Sequence, residues 1–109
     1  MVREDDSVFK ALADASRRNL LDTLRVRNGL TLNELCEAYD ISRQAVTKHL
    51  AILEAANLVV TKKQGREKLH FLNPIPIGDI YARWIGKFEE DRIHALNNLK
   101  QALEGDNHE

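Results

Sequence analysis

The segment ISRQAVTKHLAIL, residues 41–53, gathers several long hydrogen-bonding side chains within one short predicted helix. On a helical wheel Val46, Leu50 and Leu53 share one face, which we expect to be buried. One face fixed to a scaffold and another bearing long donors is the division that a DNA recognition helix needs. The polar side chains on the flank and the opposite face are Arg43, Gln44, Thr47 and Lys48.

Each of these polar side chains suits a particular partner on DNA. Arginine can bind guanine bidentately, glutamine can bind adenine, and a threonine methyl group can pack against that of thymine. Lys48 is expected to meet a phosphate, and the helix N-terminus beside Ser42, its predicted cap, also favours anions. Exposed polar residues on a helix usually contact only water. The surrounding elements must therefore show whether this helix is placed to contact DNA.

Two short helices joined by a tight turn form a helix-turn-helix candidate around this segment. The residues TLNE match a capping box, in which Thr31 caps a helix of about 32–38 and Glu34 reaches back. After the turn YDIS, the second helix is expected over about 43–56, with Asn57 as a suitable stop.

Two further helices are predicted before this motif. The first covers about 8–13 with Ser7 as its cap, and the second covers about 15–27 with Asp14 as its cap. Gly29 suits the left-handed position that follows a helix.

After the motif, LVVTKK, QGR and EKLHFL predict two strands around a glycine-containing turn. The hairpin carries Lys62, Lys63, Arg66 and Lys68 near its tip and is typical of a basic wing. Lysines on edge strands also protect them from aggregation, and the two roles are compatible.

The C-terminal third predicts a break and then a long helix. NPIPIGD, residues 73–79, is expected to be irregular because of its two prolines and glycine. A single helix is predicted over about 77–103, and its apolar stripe, interrupted only by Arg92, favours pairing with a second copy of the chain. The alternative is that this helix wraps its own domain. The stripe contains Tyr81, Trp84, Ile85, Phe88, Ala95, Leu96, Leu99 and Leu103.

Composition and charge are those of a small globular protein. The chain has 109 residues, 43% hydrophobic and 30% charged, with a formal net charge of −1. Six basic and two acidic residues between positions 42 and 70 give that stretch +4, which suits a phosphate-facing surface or is ordinary surface variation. The polar N-terminus and the lack of a long apolar run predict neither a signal peptide nor a membrane span, so we expect a cytoplasmic protein.

These elements predict one fold. It is mainly α with a small β-hairpin, a winged helix-turn-helix in the order α1-α2-α3-α4-β-β-α5. We expect a single domain over residues 1–109, with 77–103 as a long dimerisation helix.

Three segments together resemble the ArsR/SmtB family of transcriptional repressors: LADASRRNLLDTL (12–24), LNELCEAYDISRQAVTKHLAILEAANLV (32–59) and KKQGREKLHFLNP (62–74). The similarity runs from about Phe9 to Leu103, and SRQAVTKHL is its most specific part. It implies a homodimer paired through the first and last helices, with two winged units on a palindromic operator. It places the following residues on the DNA: Ser42, Arg43, Gln44, Thr47, Lys48 and His49 from the reading helix, and Lys62, Lys63 and Arg66 from the wing. The implied dimer contacts are Phe9, Tyr81, Trp84, Ile85, Phe88, Leu96 and Leu99.

The resemblance also raises the question of a metal sensor. Many family members use a Cys-x-Cys pair on the first helix of the motif, where this chain has Cys36 and Ala38. Others use Asp-x-His and His-x-x-Glu, where this chain has Pro74, Pro76, Lys87 and Glu90. A zinc site needs three or four suitable ligands, so we expect no metal site, no cofactor and a partly buried Cys36.

Three functions therefore remain open. The first is a sequence-specific repressor on double-stranded DNA, with no effector or an unknown small-molecule one. The second is a metal- or thiol-responsive sensor with an intersubunit site that includes Cys36. The third is a winged-helix interaction module or an enzyme. An interaction module would show an exposed apolar patch in place of Arg43, Gln44 and Lys48. An enzyme is disfavoured because no nucleophile–base spacing or phosphate loop is present.

Overall fold

The computed structural model describes residues 4–106, and its order of elements confirms a mainly helical fold with one β-hairpin. The first helices form the scaffold and the helix-turn-helix, the strands form the hairpin, and a helical segment follows. The elements are α1 (Glu4–Leu12), α2 (Ala15–Val26), α3 (Leu32–Glu37), α4 (Arg43–Ala55), β1 (Val59–Gln64), β2 (Glu67–Leu72), α5 (Ile75–Tyr81), a π-helical turn (Ala82–Gly86) and α6 (Lys87–Asp106).

Three predicted helix caps are confirmed by their hydrogen bonds. Asp14 accepts from the backbone N–H of Arg17 at 3.1 Å, and Ser42 accepts from that of Ala45 at 3.1 Å. In the capping box the Thr31 hydroxyl accepts from the Glu34 N–H at 3.2 Å, and the Glu34 carboxylate accepts from the Thr31 N–H at 3.0 Å. These bonds satisfy donors that a helix start leaves open, which fixes where α2, α3 and α4 begin.

The predicted start of the first helix is wrong. Ser7 lies inside α1, which begins at Glu4 rather than after a serine cap. Acidic residues precede Ser7 in the sequence, and negative charge in the first turn is favourable to the helix dipole. Ser7 therefore does not cap α1, because the helix begins before it.

Residues up to Ile77 form one compact unit around an aliphatic core. Side chains from α2, α3, α4 and the residue before β1 close this core, and each contributes roughly 1.5–3 kcal/mol by its burial. The predicted seam of α4 is part of it, since Val46, Leu50 and Leu53 are all buried. The largest fully buried side chains are Leu20, Leu24, Leu35, Val46, Leu53 and Leu58.

The hairpin is tied to the segment between α2 and α3. Strands β1 and β2 pair antiparallel from Val59 opposite Leu72 to Gln64 opposite Glu67. Gly29 donates its N–H to the His70 carbonyl at 2.8 Å, and His70 donates its own to the Leu30 carbonyl at 2.8 Å. Gly29 has a φ of +83°, and a Cβ there would lie 3.3 Å from the Phe71 ring, so glycine is needed for this junction.

Residues from Gly78 onward form a second compact unit. The prediction of an irregular NPIPIGD is wrong, because α5 begins at Ile75 and includes Pro76 in its first turn, where a missing N–H costs little. The residues of the predicted helix over 77–103 are helical throughout, but they do not form one uninterrupted α-helix. Helical structure continues to Asp106, but the π-helical turn at Ala82–Gly86 interrupts the α-helical period.

Within the part of the chain that the structure describes, no helix combines the length and apolar character needed to cross a membrane. The large apolar side chains of the second unit are instead half exposed. They include Tyr81, Trp84, Ile85, Phe88, Ile93, Leu96, Leu99 and Leu103, at 45–63%.

Candidate nucleic-acid interface

Helix α4 presents a polar face to solvent because its apolar face is fastened to the core. Val46 and Leu53 are fully buried, and Leu50 is 3% exposed. Four polar side chains of the same helix are exposed: Arg43, Gln44, Thr47 and Lys48. The division expected from the sequence is thus present, and the outward face is free of the chain's own core.

Two residues near the start of α4 use a polar group within the protein. The Ser42 hydroxyl caps the helix, as described above. The Thr47 hydroxyl donates to the Arg43 carbonyl at 2.9 Å, which leaves its methyl group and an oxygen lone pair for other contacts. Thr47 therefore suits a contact to a thymine methyl better than a role as a donor.

Arg43 is held by a neighbour on the preceding helix. Its guanidinium donates a hydrogen bond to the side-chain oxygen of Asn33, the second residue of α3. The two side chains line a cleft of about 240 Å³ between the helix-turn-helix and the hairpin. The lining residues are Thr31, Leu32, Asn33, Arg43, Arg66, Glu67 and Lys68.

His49 lies on a different side of α4 from the polar residues beside it. Its side chain is 19% exposed, with Nδ1 at 4.0 Å from an Asp14 carboxylate oxygen and 3.4 Å from an Arg17 guanidinium nitrogen. The sequence contained the signal for this placement, because position 49 follows Val46 by three residues and precedes Leu53 by four. We therefore assign His49 to the junction with α2 and not to the outward face.

Arg17 organises this junction and was missed in the sequence. Besides meeting His49, its guanidinium donates to the carbonyls of Ala11 at 2.8 Å and Lys10 at 3.0 Å, near the end of α1. One side chain thus ties α1 to α2 and α4. Its position was a usable signal, since a cation in the first turn of a helix opposes the dipole and needs another role.

The same junction perturbs the Asp14 carboxyl group. The backbone N–H of Arg17 lowers the pKa of Asp14 below its usual value of 3.8, with smaller contributions from the charges of Arg17 and His49. Partial burial acts in the opposite direction. The cap is therefore ionised at neutral pH.

The hairpin exposes most of its predicted basic residues. Lys62, Lys63 and Arg66 are exposed, and successive strand residues point to opposite faces, so the two lysines lie on different sides of the hairpin. Lys68 differs, because its ammonium lies 3.2 Å from the carboxylate of Glu54 on α4. This ion pair links β2 to α4. One of the four basic side chains of the hairpin is thus paired with a carboxylate of the same chain.

The turn of the helix-turn-helix is anchored by Tyr39, another residue that the sequence did not reveal. Its hydroxyl donates to the Asn19 carbonyl on α2 at 2.5 Å and also contacts the Thr23 hydroxyl. The turn before α4 is therefore attached to the scaffold at a point 20 residues away in sequence.

The side chains predicted to form a dimer are exposed in the single chain, each within its own unit. Phe9 of α1 is 43% exposed. In the second unit the Tyr81 hydroxyl donates a hydrogen bond to the Glu89 carboxylate, and this bond stabilises the protonated hydroxyl and raises the pKa of Tyr81 above 10.0. Arg83 lies 5.4 Å from the centre of the Trp84 ring. The remaining predicted contacts, Ile85, Phe88, Leu96 and Leu99, are 50–63% exposed.

Cys36 is partly buried, as expected. Among the described residues, no three histidine, cysteine, aspartate or glutamate side chains are grouped so that they could hold a metal ion.

Comparison with known proteins gives consistent results. Residues 12–62 match the model of a helix-turn-helix domain family. The chain is 44% identical over 86 residues to the uncharacterized HTH-type transcriptional regulator YuzN of Bacillus subtilis (strain 168), with 73% of this chain and 94% of that protein covered.

Two further similarities extend over almost the whole chain. The arsenical resistance operon repressor of Escherichia coli (strain K12) is 30% identical over 109 residues, with 91% of this chain and 88% of that one covered. The solved structure of an ArsR-like transcriptional regulator from Rhodococcus sp. RHA1 superposes with a TM-score of 0.70 at 31% identity. That superposition covers 94% of this chain and 92% of the other.

Proposed function

The chain belongs to the ArsR family of transcriptional regulators, and from that premise we propose a homodimeric repressor that binds a two-fold operator without a metal sensor site. As a DNA-binding regulator rather than an enzyme, it acts by occupying DNA. We infer a cytoplasmic location, because the relatives named above are bacterial regulators and bacterial DNA lies in the cytoplasm.

The observation that carries the proposal is the two-sided recognition helix. Its apolar seam is buried, and Arg43, Gln44, Thr47 and Lys48 are exposed on the opposite side. Arg43 and Gln44 are assigned to base edges, Thr47 to a thymine methyl group, and Lys48 to phosphate. Ser42 contributes the capped N-terminus of the helix, which favours a phosphate nearby.

The hairpin is assigned to the DNA backbone. Lys62, Lys63 and Arg66 are exposed and carry positive charge on two faces and the turn. These contacts add affinity for any sequence and make binding dependent on salt concentration. His49 is left out of the interface, because it is committed to Asp14 and Arg17.

The second unit supports pairing with another copy of the chain. Its apolar side chains remain half exposed, including Trp84, Phe88 and Leu99. An exposed apolar face of this extent is typical of an interface, and most soluble oligomers are symmetric assemblies of identical chains. A dimer would present two recognition helices, so the operator should contain half-sites roughly one helical turn apart.

The proposal of no metal sensor rests on residue types at the positions that the family uses. Alanine, two prolines and a lysine stand at Ala38, Pro74, Pro76 and Lys87, and none of these is a metal ligand. The alternative is a site shared between chains that includes the partly buried Cys36. Elemental analysis of the purified dimer separates the two, since stoichiometric zinc, nickel or copper would favour the alternative.

Selection of bound sequences from random DNA tests the function directly. We expect an enriched two-fold motif with half-sites about 10 base pairs apart, and affinity that falls steeply as salt increases. Enrichment of an asymmetric motif would reject the dimeric arrangement. Failure to enrich any sequence would reject sequence-specific recognition by α4.

A further inference from the structure

We propose that Asn33 is a positioning residue that orients Arg43 for base recognition and so helps to set the DNA sequence that this chain prefers. The inference rests on the proposed function of α4. It adds a residue of α3 that does not belong to the recognition helix and whose contact is visible only in the structure.

The geometry of this pair is fixed from both sides. Arg43 is the first residue of α4 and directly follows the capping residue Ser42. Asn33 is the second residue of α3 and lies within the Thr31–Glu34 capping box. The caps hold the backbone from which each of the two side chains extends, and the Asn33 side-chain oxygen accepts a hydrogen bond from the Arg43 guanidinium.

The chemistry of the guanidinium explains why such an acceptor matters. Arginine carries five N–H donors, and bidentate recognition of guanine uses two of them. A hydrogen bond to Asn33 engages part of the group and leaves other donors for a base, while restricting a long side chain that otherwise samples many rotamers. Less conformational freedom is then lost when the base contact forms.

The neutral charge of Asn33 also suits its surroundings. Arg66 and Lys68 line the same cleft with one carboxylate, that of Glu67, and the cleft lies between two elements that we assign to DNA. A carboxylate at position 33 would bind Arg43 more strongly but would also repel nearby phosphates. An amide accepts the hydrogen bond without that repulsion.

A double-mutant cycle read out on base preference tests the inference. The measured quantity is the ratio of affinities for the selected operator and for operators changed at one base pair. We expect Asn33→Ala to lower this ratio by about twofold to tenfold at the position read by Arg43, and to leave the other positions unchanged. In an Arg43→Ala background, Asn33→Ala should have no further effect.

Matched variants separate positioning from a general loss. In a Gln44→Ala background the effect of Asn33→Ala should persist in full, because Gln44 does not contact Asn33. Asn33→Asp keeps the acceptor, so it should preserve the base preference while lowering affinity for all sequences. Glu37→Gln, on an exposed residue of the same helix, should change affinity slightly and equally for all sequences.

Three results would overturn the inference: a uniform loss of affinity for all operators in Asn33→Ala, a further effect of Asn33→Ala in the Arg43→Ala background, or tighter binding by Asn33→Ala. Tighter binding would mean that Asn33 holds Arg43 away from DNA. The thermal unfolding midpoint of Asn33→Ala should match that of the wild type, because both side chains are exposed. A wild-type chain that selects no sequence would refute the proposed function, and this inference with it.

Discussion

The two compact units of this chain differ in how far their apolar side chains are buried. In the unit up to Ile77, the leucines of α2 and α4 and Leu35 of α3 are buried, and Leu53 is fully enclosed. In the unit from Gly78, leucines at helical spacing remain open, and Leu99 is 55% exposed. The first pattern is satisfied within one chain, whereas the second leaves an apolar face that we propose is covered by another copy of the chain.

This difference separates folding from assembly. The first unit holds the recognition helix and can position it without a partner, because the α4 seam and the Arg17 junction are internal. The second unit adds the apolar face that we assign to pairing. In the function that we propose, different parts of the sequence therefore recognise one half-site and pair the two chains.

The largest expected effect on stability comes from truncating a leucine to alanine, compared between a leucine of the first unit and one of the second. Leu53→Ala should lower the free energy of unfolding by about 2–5 kcal/mol, because it leaves a cavity in a closed core. That loss should not depend on protein concentration. Leu99→Ala should cost less than about 0.5 kcal/mol in dilute protein, and more as concentration rises. Urea titrations at several protein concentrations measure the loss for both variants. If the two variants lost the same free energy of unfolding at every protein concentration, the distinction between the units would be wrong.

A charge placed on the exposed face should break assembly without unfolding the first unit. Leu99→Glu should convert dimers to monomers and abolish tight operator binding, because a carboxylate would be buried between the chains. Asn97→Glu is the matched control, since it adds the same charge on the opposite side of α6. Sedimentation and operator titration should show the control behaving as the wild type. A Leu99→Glu monomer that still binds tightly would contradict the role given to this face.

A smaller effect distinguishes two adjacent residues within the first unit. Lys48→Ala should leave stability unchanged and reduce the slope of log affinity against log salt by about 1. His49→Ala should lower the free energy of unfolding by about 1 kcal/mol and leave that slope unchanged, because His49 faces Arg17. Thermal melts measure the change in stability, and salt titrations of operator binding measure the change in slope. If His49→Ala alters the salt slope instead, the histidine belongs to the DNA interface after all.

The smallest expected effects are losses of stability at opposite ends of the pH scale. Asp14 has a folded pKa below 3.8, so the stability gained from its charge is present above about pH 4 and is lost as the pH falls through the folded pKa. Tyr81 has a folded pKa above 10.0, so its contribution is present below pH 10 and is lost as the pH rises through the folded pKa.

Two conservative variants make these losses measurable. The stability difference between the wild type and Asp14→Asn should shrink in acid, and that between the wild type and Tyr81→Phe should shrink in alkali. Denaturant titrations across the pH range test both. A difference that stays constant with pH would show that the hydrogen bonds of Asp14 or Tyr81 do not depend on ionisation.

Local signals account for what the sequence predicted well. Asp14, Ser42 and the Thr31–Glu34 box each act within three residues, so the starts of α2, α3 and α4 follow from sequence alone. The seam of α4 follows from a constant helical period over a short span. Ser7 misled because a serine marks a helix start only when the preceding residues do not continue the helix.

Longer-range features escaped prediction for physical reasons. A wheel drawn at a constant angle cannot reveal the π-helical turn at Ala82–Gly86, which changes the phase between α5 and α6. The contacts of Asn33 with Arg43 and of Tyr39 with Asn19 join residues 10 and 20 positions apart, and no local pattern indicates them. The placement of Arg43 therefore depends on a tertiary neighbour as well as on the helix that carries it.

The two hydrogen bonds between His70 and the Gly29–Leu30 backbone form an isolated β-bridge that attaches the two-stranded hairpin to the segment between α2 and α3. In the DNA contact that we propose for the hairpin, the backbone at this attachment is already ordered when the chain folds, so little main-chain entropy would remain to be lost on docking. The exposed side chains of Lys62, Lys63 and Arg66 would then adjust to the DNA while the hairpin beneath them keeps its place.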